Sequence, residues 1–217
     1  MALNLLFTNP LLFLAWIVAI LVTLTIHEFS HAFVATLLGD RTPQDQGRLT
    51  FDPRAHVDTT GLLMLVLVGF GWGKPVQFNP HNLRYPRWGA TFVALAGPLS
   101  NFFGALLFGI AGVLLLRFGV LSGENLLIFF LFRLVTVNVV LMLFNLIPIP
   151  PLDGSKVLLD ALHHPRYDRI RFLLETRGPI LLLALVLLDM ILPFSLFGWL
   201  FSGALSFVYN VLFSFAG

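Results

Sequence analysis

Five or six apolar segments, each ringed by apolar side chains instead of striped along one face, dominate this chain and decide what it can fold into. They run from about Leu11 to Leu38, Gly61 to Trp72, Trp88 to Leu116, Asn125 to Leu146, Pro179 to Leu192 and Ser195 to Phe215, with Pro193 parting the last two. A helix that is apolar all round has no face to offer water, so lipid must be its solvent. Only 11% of the residues are charged, against about 25% in soluble domains, so no water-facing shell can be built around these segments. The expected fold is an all-α polytopic membrane protein of about five to six transmembrane helices, organised as a single domain over residues 1–217. Cysteine is absent, which excludes disulfides and thiolate metal sites. The chain has no block of Lys and Arg, so nucleic acid is not an expected partner. The opening MALNLLFTNP lacks the basic start of a secretory signal, and the first apolar stretch reads as a retained span.

The segment Gly61–Trp72 is too short to cross. Twelve helical residues reach about 18 Å, and the hydrocarbon core is about 30 Å thick. If this segment dips in and returns, loops 39–60, 73–87 and 147–178 share one side. They carry Arg41, Arg48, Arg54, Lys74, Arg84, Arg87, Lys156, Arg166, Arg169, Arg171 and Arg177, which is 11 of the 13 Lys and Arg residues. The positive-inside rule makes that side cytoplasmic. The expected topology has five crossings, an outer N-terminus and a cytoplasmic C-terminus, in an integral protein of the plasma membrane.

His27-Glu28-Phe29-Ser30-His31 carries the strongest chemical signal. Histidines four apart lie on one face of a helix, one turn from each other, and can converge on a single Zn²⁺. Glu28 beside them is suited to take a proton from water activated by the metal. The motif sits inside an apolar span, where three ionisable groups in five residues are expensive to bury without a ligand.

A catalytic zinc usually has three protein ligands. The third is expected in Asn145-Leu-Ile-Pro-Ile-Pro-Pro-Leu-Asp153-Gly154, where Pro148, Pro150 and Pro151 end a helix in irregular backbone. Such backbone near membrane depth must be buried in protein or line a wet cavity, which keeps Asp153 near the histidines. Gly97-Pro98-Leu99-Ser100-Asn101 lies within the long third segment. The Asn101 amide is a candidate to bind substrate backbone or an oxyanion, while Gly97, Ser100 and Gly104 equally suit a notch for helix packing. GRLTF and KPVQF alternate in character and predict short strands, with a solvated loop as the alternative.

HEFSH in a first span followed by NLIPIPPLDG resembles the site-2 protease family of intramembrane zinc metalloproteases, and GWGKPVQFNP and ALAGPLSN resemble its small members. The likeness covers most of the chain. It implies that His27, His31 and Asp153 bind Zn²⁺, that Glu28 is the catalytic base, and that Asn145 is the motif amide of the active site. It also implies a membrane-dipping β-element whose edge receives an extended substrate. The expected function is hydrolysis of peptide bonds in membrane-spanning protein or peptide substrates near the cytoplasmic side, with the bilayer as the other partner. Ten residues precede the zinc-helix segment where many relatives carry a further helix, and neither a PDZ nor a CBS module is expected.

Other functions the residues admit are a non-enzymatic metal or proton transporter, and an inactive relative that only binds membrane helices. Glu28 argues against both, because neither needs a base beside the first ligand. His56, flanked by Asp52 and Asp58, reads as a plain loop histidine, with a gating or outer-shell role as the alternative. Arg133 is expected to snorkel outward and Asp189 to mark the turn of the last hairpin.

Overall fold

The computed structural model describes residues 2–214, with side chains from residue 5 onward. The expected end of the last segment at Phe215 lies outside them. Helix α1 (Ala2–Thr8) leads into α2 (Pro10–Leu37), which starts where the Asn9 side chain accepts from Leu12 N–H and Pro10 pre-sets the first turn. Short helices α3 (Thr42–Asp45) and α4 (Pro53–His56) follow, then α5 (Thr59–Val68). The bundle continues with α6 (Gly89–Arg117), α7 (Leu126–Asn145), α8 (Gly154–Ala161), α9 (Asp168–Ile191) and α10 (Leu196–Ser214).

Four of these, α2, α6, α7 and α10, are long and apolar enough to cross a membrane. The fifth expected span, Pro179–Leu192, is the apolar half of α9, whose other half carries Arg169, Arg171, Glu175 and Arg177. Straight-chain charged residues are good helix formers, so the helix runs on past the apolar boundary. Little of α9 is buried. Gly178, Leu182 and Val186 are, and Gly178 lies so close to Pro150 that an added Cβ would sit 2.8 Å from the ring.

The packing pattern is that of a protein in lipid. Leu, Phe and Ile side chains point outward from every long helix, while Thr23, Thr25, His27, Glu28, His31, Asn101 and Asn138 are buried. One core cluster joins Ala105 and Val113 of α6, Val135 and Val139 of α7 and Leu212 of α10. A second, Ala35, Leu83 and Val93, pins the end of α2 against the start of α6.

The chain doubles back after α5. Gly69 ends it in the left-handed region at φ +86°, open to glycine at no steric cost. Behind it Gly71 packs on the backbone of Gly61, Gly61 packs on Trp72, and Val57 forms an antiparallel bridge with Gly73. Among the described residues this isolated bridge is the nearest approach to the strands expected at GRLTF and KPVQF. Pro75 has no N–H to offer a ladder, and the N–H of Val76 is taken by Glu28. Side chains hold the segment instead. The buried Arg48 guanidinium donates to the carbonyls of Lys74 (3.0 Å), Pro75 (3.3 Å) and Ala55, and Asp40 accepts from Asn79 N–H at 2.6 Å.

Candidate active site

The HEFSH turn lies in the second half of α2, where His27 and His31 share one face and their rings meet edge to face with centroids 4.6 Å apart. The third component arrives from the far end of α7. After Asn145 the chain turns through Pro148, Pro150 and Pro151, with a cis bond between the last two, and re-enters a helix at Gly154. A Cβ on Gly154 would strike the carbonyls of Leu146 and Ile147, so glycine lets the turn close tightly under α7. The Thr91 N–H and hydroxyl at the start of α6 both donate to Asp160 of α8, at 3.2 and 2.6 Å. These contacts hold α8, and with it Asp153, against the bundle.

The result is a near-equilateral triangle of donor atoms. His27 Nε2 and His31 Nε2 are 3.1 Å apart, and Asp153 Oδ2 lies 3.3 Å from the first and 3.4 Å from the second. Zinc bonds of about 2.0–2.1 Å at tetrahedral angles place neighbouring ligand atoms about 3.3 Å apart. The triangle has that edge. Asp153 Oδ2 is buried and accepts no hydrogen bond, a costly arrangement for a carboxylate oxygen unless a cation satisfies it. The donor set therefore fits Zn²⁺, and these three residues form the His/Asp/Glu group of metal-binding geometry among the described residues.

Helix α6 backs both histidines. His31 Nδ1 donates to the Val93 carbonyl at 2.8 Å, and His27 Nδ1 lies 2.5 Å from Asn101 Oδ1. This close approach requires Gly97, because a Cβ there would lie 2.6 Å from Cε1 of each ring. Asn101 is thus engaged behind His27, and its Nδ2 donates to Asn138 Oδ1 at 3.1 Å. Gly97 and Gly104 give the close approach that a packing notch requires, while the Asn101 amide, expected to meet substrate or an oxyanion, contacts His27 and Asn138.

Glu28 is buried and accepts from Val76 N–H at 3.2 Å, which brings the KPVQF segment across the motif. Asn145 is half-buried at the end of α7 and donates to the Leu141 carbonyl. His56 is fully buried at the end of α4, where Nε2 donates to the Thr50 carbonyl at 2.8 Å. Arg133 is exposed and lies over the Phe129 ring, and Asp189 accepts from Ser195 and Phe197 N–H at the turn between α9 and α10. Sequence reasoning does not single out Asn138, Thr23, Asp160 or Arg48. A polar residue inside an apolar span is a signal in itself, and it marks Asn138 and Thr23.

The profile of peptidase family M50 matches residues 120–185, a stretch that includes Asn145 and Asp153 and begins beyond the histidine motif. The chain is 37% identical over 151 residues to the "Putative zinc metalloprotease YwhC" of Bacillus subtilis (strain 168), covering 66% of this chain and 67% of that protein. It is 34% identical over 188 residues to the "Putative zinc metalloprotease Rip2" of Mycobacterium tuberculosis (strain ATCC 25618 / H37Rv), covering 83% of this chain and 68% of the relative. No solved structure matches at comparable significance. With its apolar helices and zinc-compatible donor triangle, the chain belongs to peptidase family M50, the site-2 proteases, and is a multi-pass membrane zinc metalloprotease.

Proposed function

We propose that this chain, acting as one catalytic domain, hydrolyses peptide bonds of membrane-spanning substrates near the cytoplasmic side of the plasma membrane. The observation that carries the reading is the triangle of His27, His31 and Asp153, whose edges of 3.1, 3.3 and 3.4 Å match those of a zinc tetrahedron. Zinc there supplies Lewis-acid activation of water and of the scissile carbonyl. Glu28 takes the proton of the attacking water and returns it to the departing amine. Asn145, half-buried beside the turn that carries Asp153, is the amide available to substrate.

Segment 74–79 is the surface on which substrate is received. It runs without helix or turn, and it is fixed at one end by Arg48 and at the other by Asp40. A peptide must be extended to be cut, since a helix keeps its carbonyls in its own hydrogen bonds, and an extended backbone offers groups for pairing. Segment 57–73, whose ends are bridged around α5, enters and leaves on one side. With α2, α6, α7, α9 and α10 as five crossings, the basic loops all face the cytoplasm, as does the C-terminus.

The test joins metal analysis to cleavage of a labelled membrane peptide. Wild type should hold about one zinc per chain, and His27→Ala, His31→Ala and Asp153→Ala should each lose most of it. Glu28→Gln should keep zinc and lose cleavage by several orders of magnitude. Cleavage by Glu28→Gln near the wild-type rate refutes the mechanism, and full zinc in Asp153→Ala removes that residue from the site.

A further inference from the structure

A chain of buried amides runs away from the metal site into the centre of the bundle, and each of its links has a direction. It begins at the backbone carbonyl of Leu134 on α7, which can only accept. Asn138 Nδ2 donates to it at 2.8 Å and to Thr23 Oγ1 of α2 at 3.1 Å, which uses both hydrogens of that amide. Asn138 Oδ1 is thereby turned toward α6, where it accepts from Asn101 Nδ2. Asn101 must then present its oxygen to His27, and His27 Nδ1 must carry the hydrogen. Neutral imidazole has one N–H and one lone pair, so the lone pair is left on Nε2, the atom in the triangle. All four side chains are buried, at 1% exposure for Thr23 and Asn101 and 3% for His27 and Asn138, so water is not available to replace a missing partner. Gly104 makes the room, since a Cβ there would lie 2.7 Å from Asn138 Oδ1.

We propose that Asn138, anchored on Leu134 and Thr23, is a positioning residue that sets the tautomer of His27 through Asn101 and so holds Nε2 ready for zinc. The assignment rests on the zinc reading above. The two histidines differ in this respect: His31 is oriented directly by the Val93 carbonyl, while His27 depends on two amides that are each able to flip. Loss of Asn138 frees Asn101 to rotate and offer N–H to Nδ1, which favours the tautomer with its lone pair on the wrong nitrogen.

The readout is the rate at which purified protein gives up zinc to an excess of chelator, with the Co²⁺-substituted absorption spectrum as a check on ligand geometry. Asn101→Leu should weaken zinc retention about 10–100-fold, the usual cost of losing such a partner. Asn138→Leu should weaken it in the same direction by a smaller factor, at least about threefold, because Asn101 stays in place but is no longer oriented. The deciding variant is Asn101→Asp/Asn138→Leu. A carboxylate can only accept, so it holds the Nδ1 hydrogen of His27 with no help from Asn138, and slow zinc release should return. A packing role for Asn138 would not be rescued by a change at residue 101. Asn101→Asp alone sets a carboxylate oxygen against Asn138 Oδ1 and should release zinc faster than the double variant, and Asn138→Ala with Asn101→Asp/Asn138→Ala serves if Asn138→Leu does not fold. Wild-type release from Asn138→Leu, or failure of the double variant to recover, overturns the inference. In those cases a zinc-loaded wild type leaves the zinc reading standing, whereas a wild type that binds no zinc overturns both.

Discussion

Gly97→Ala tests the geometry of the site without touching a ligand. Its Cβ would lie 2.6 Å from Cε1 of His27 and of His31, and closer still to His31 Nε2. Carbon atoms rest about 3.5–4.0 Å apart, so about 1 Å must be found. The rings can supply it only by leaving Asn101 and the Val93 carbonyl, and α6 only by backing away from α2. Either movement exceeds the few tenths of an ångström that separate the triangle edges from one another. Overpacking of this kind costs about 1–3 kcal/mol, and alanine in a helix recovers about 1 kcal/mol of that relative to glycine. The fold should therefore survive with a small loss of thermal stability. The chemistry should not, since an ångström of misplacement at a reacting centre costs about 100-fold. Zinc content, cleavage rate and melting temperature would be measured side by side. Gly203→Ala on α10, where nothing lies within 4 Å of the added carbon, is the control and should behave as wild type. Wild-type zinc content and cleavage in Gly97→Ala would show that the close contact of α6 with the histidines is not needed, and the geometric argument for the site would fall.

Two further predictions concern the loops around the site. Single cysteines at the exposed positions Arg54, Arg84 and Arg169 should react with an impermeant reagent from the cytoplasmic side and one at Ser122 from the other, whereas labelling of Arg54 and Arg84 from opposite faces would mean that α5 crosses. Burial opposes ionisation of Asp40, but bonds from Thr42, Asn82 and Asn79 outweigh it and hold its carboxyl below the ordinary 3.8. A carboxylate whose folded value is lowered stabilises fully above its unfolded value and loses that contribution as pH falls through the folded one. The melting-temperature gap between wild type and Asp40→Asn should therefore be constant from about pH 8 to about pH 5 and shrink below about pH 4, and a gap that grows in acid would contradict the assignment.

The parts of the site that a single stretch of chain can specify were legible, and the parts that depend on helix rotation were not. His27 and His31 are one turn apart on any helix, so HEFSH announces their convergence by itself. Asp153 follows from the prolines that stop α7 close to where it must return. Asn101 is visible as an amide in an apolar span, but the sequence does not say whether it faces substrate or a histidine, because that is settled by which side of α6 meets α2. The same rule applied to α7 would have marked Asn138, and applied to α2 would have marked Thr23. What it could not give is the order of their hydrogen bonds. At KPVQF the alternation predicts a strand, yet Arg48, Asp40 and Glu28 hold the backbone where a neighbouring strand would. Side chains distant in sequence thus perform the work of a ladder, and alternation has no means of registering them.

The small residues connect the two kinds of information. Gly97 and Gly104 are seven apart on α6, which is about two turns, so they lie on one face. That face meets His27 and His31 at one level and Asn138 at the other, with Asn101 between them. A glycine at either level admits an imidazole or an amide where an alanine would exclude it. The spacing of glycine and asparagine along α6 therefore encodes a polar seam through an apolar bundle, and the seam ends on His27, whose Nε2 stands in the donor triangle.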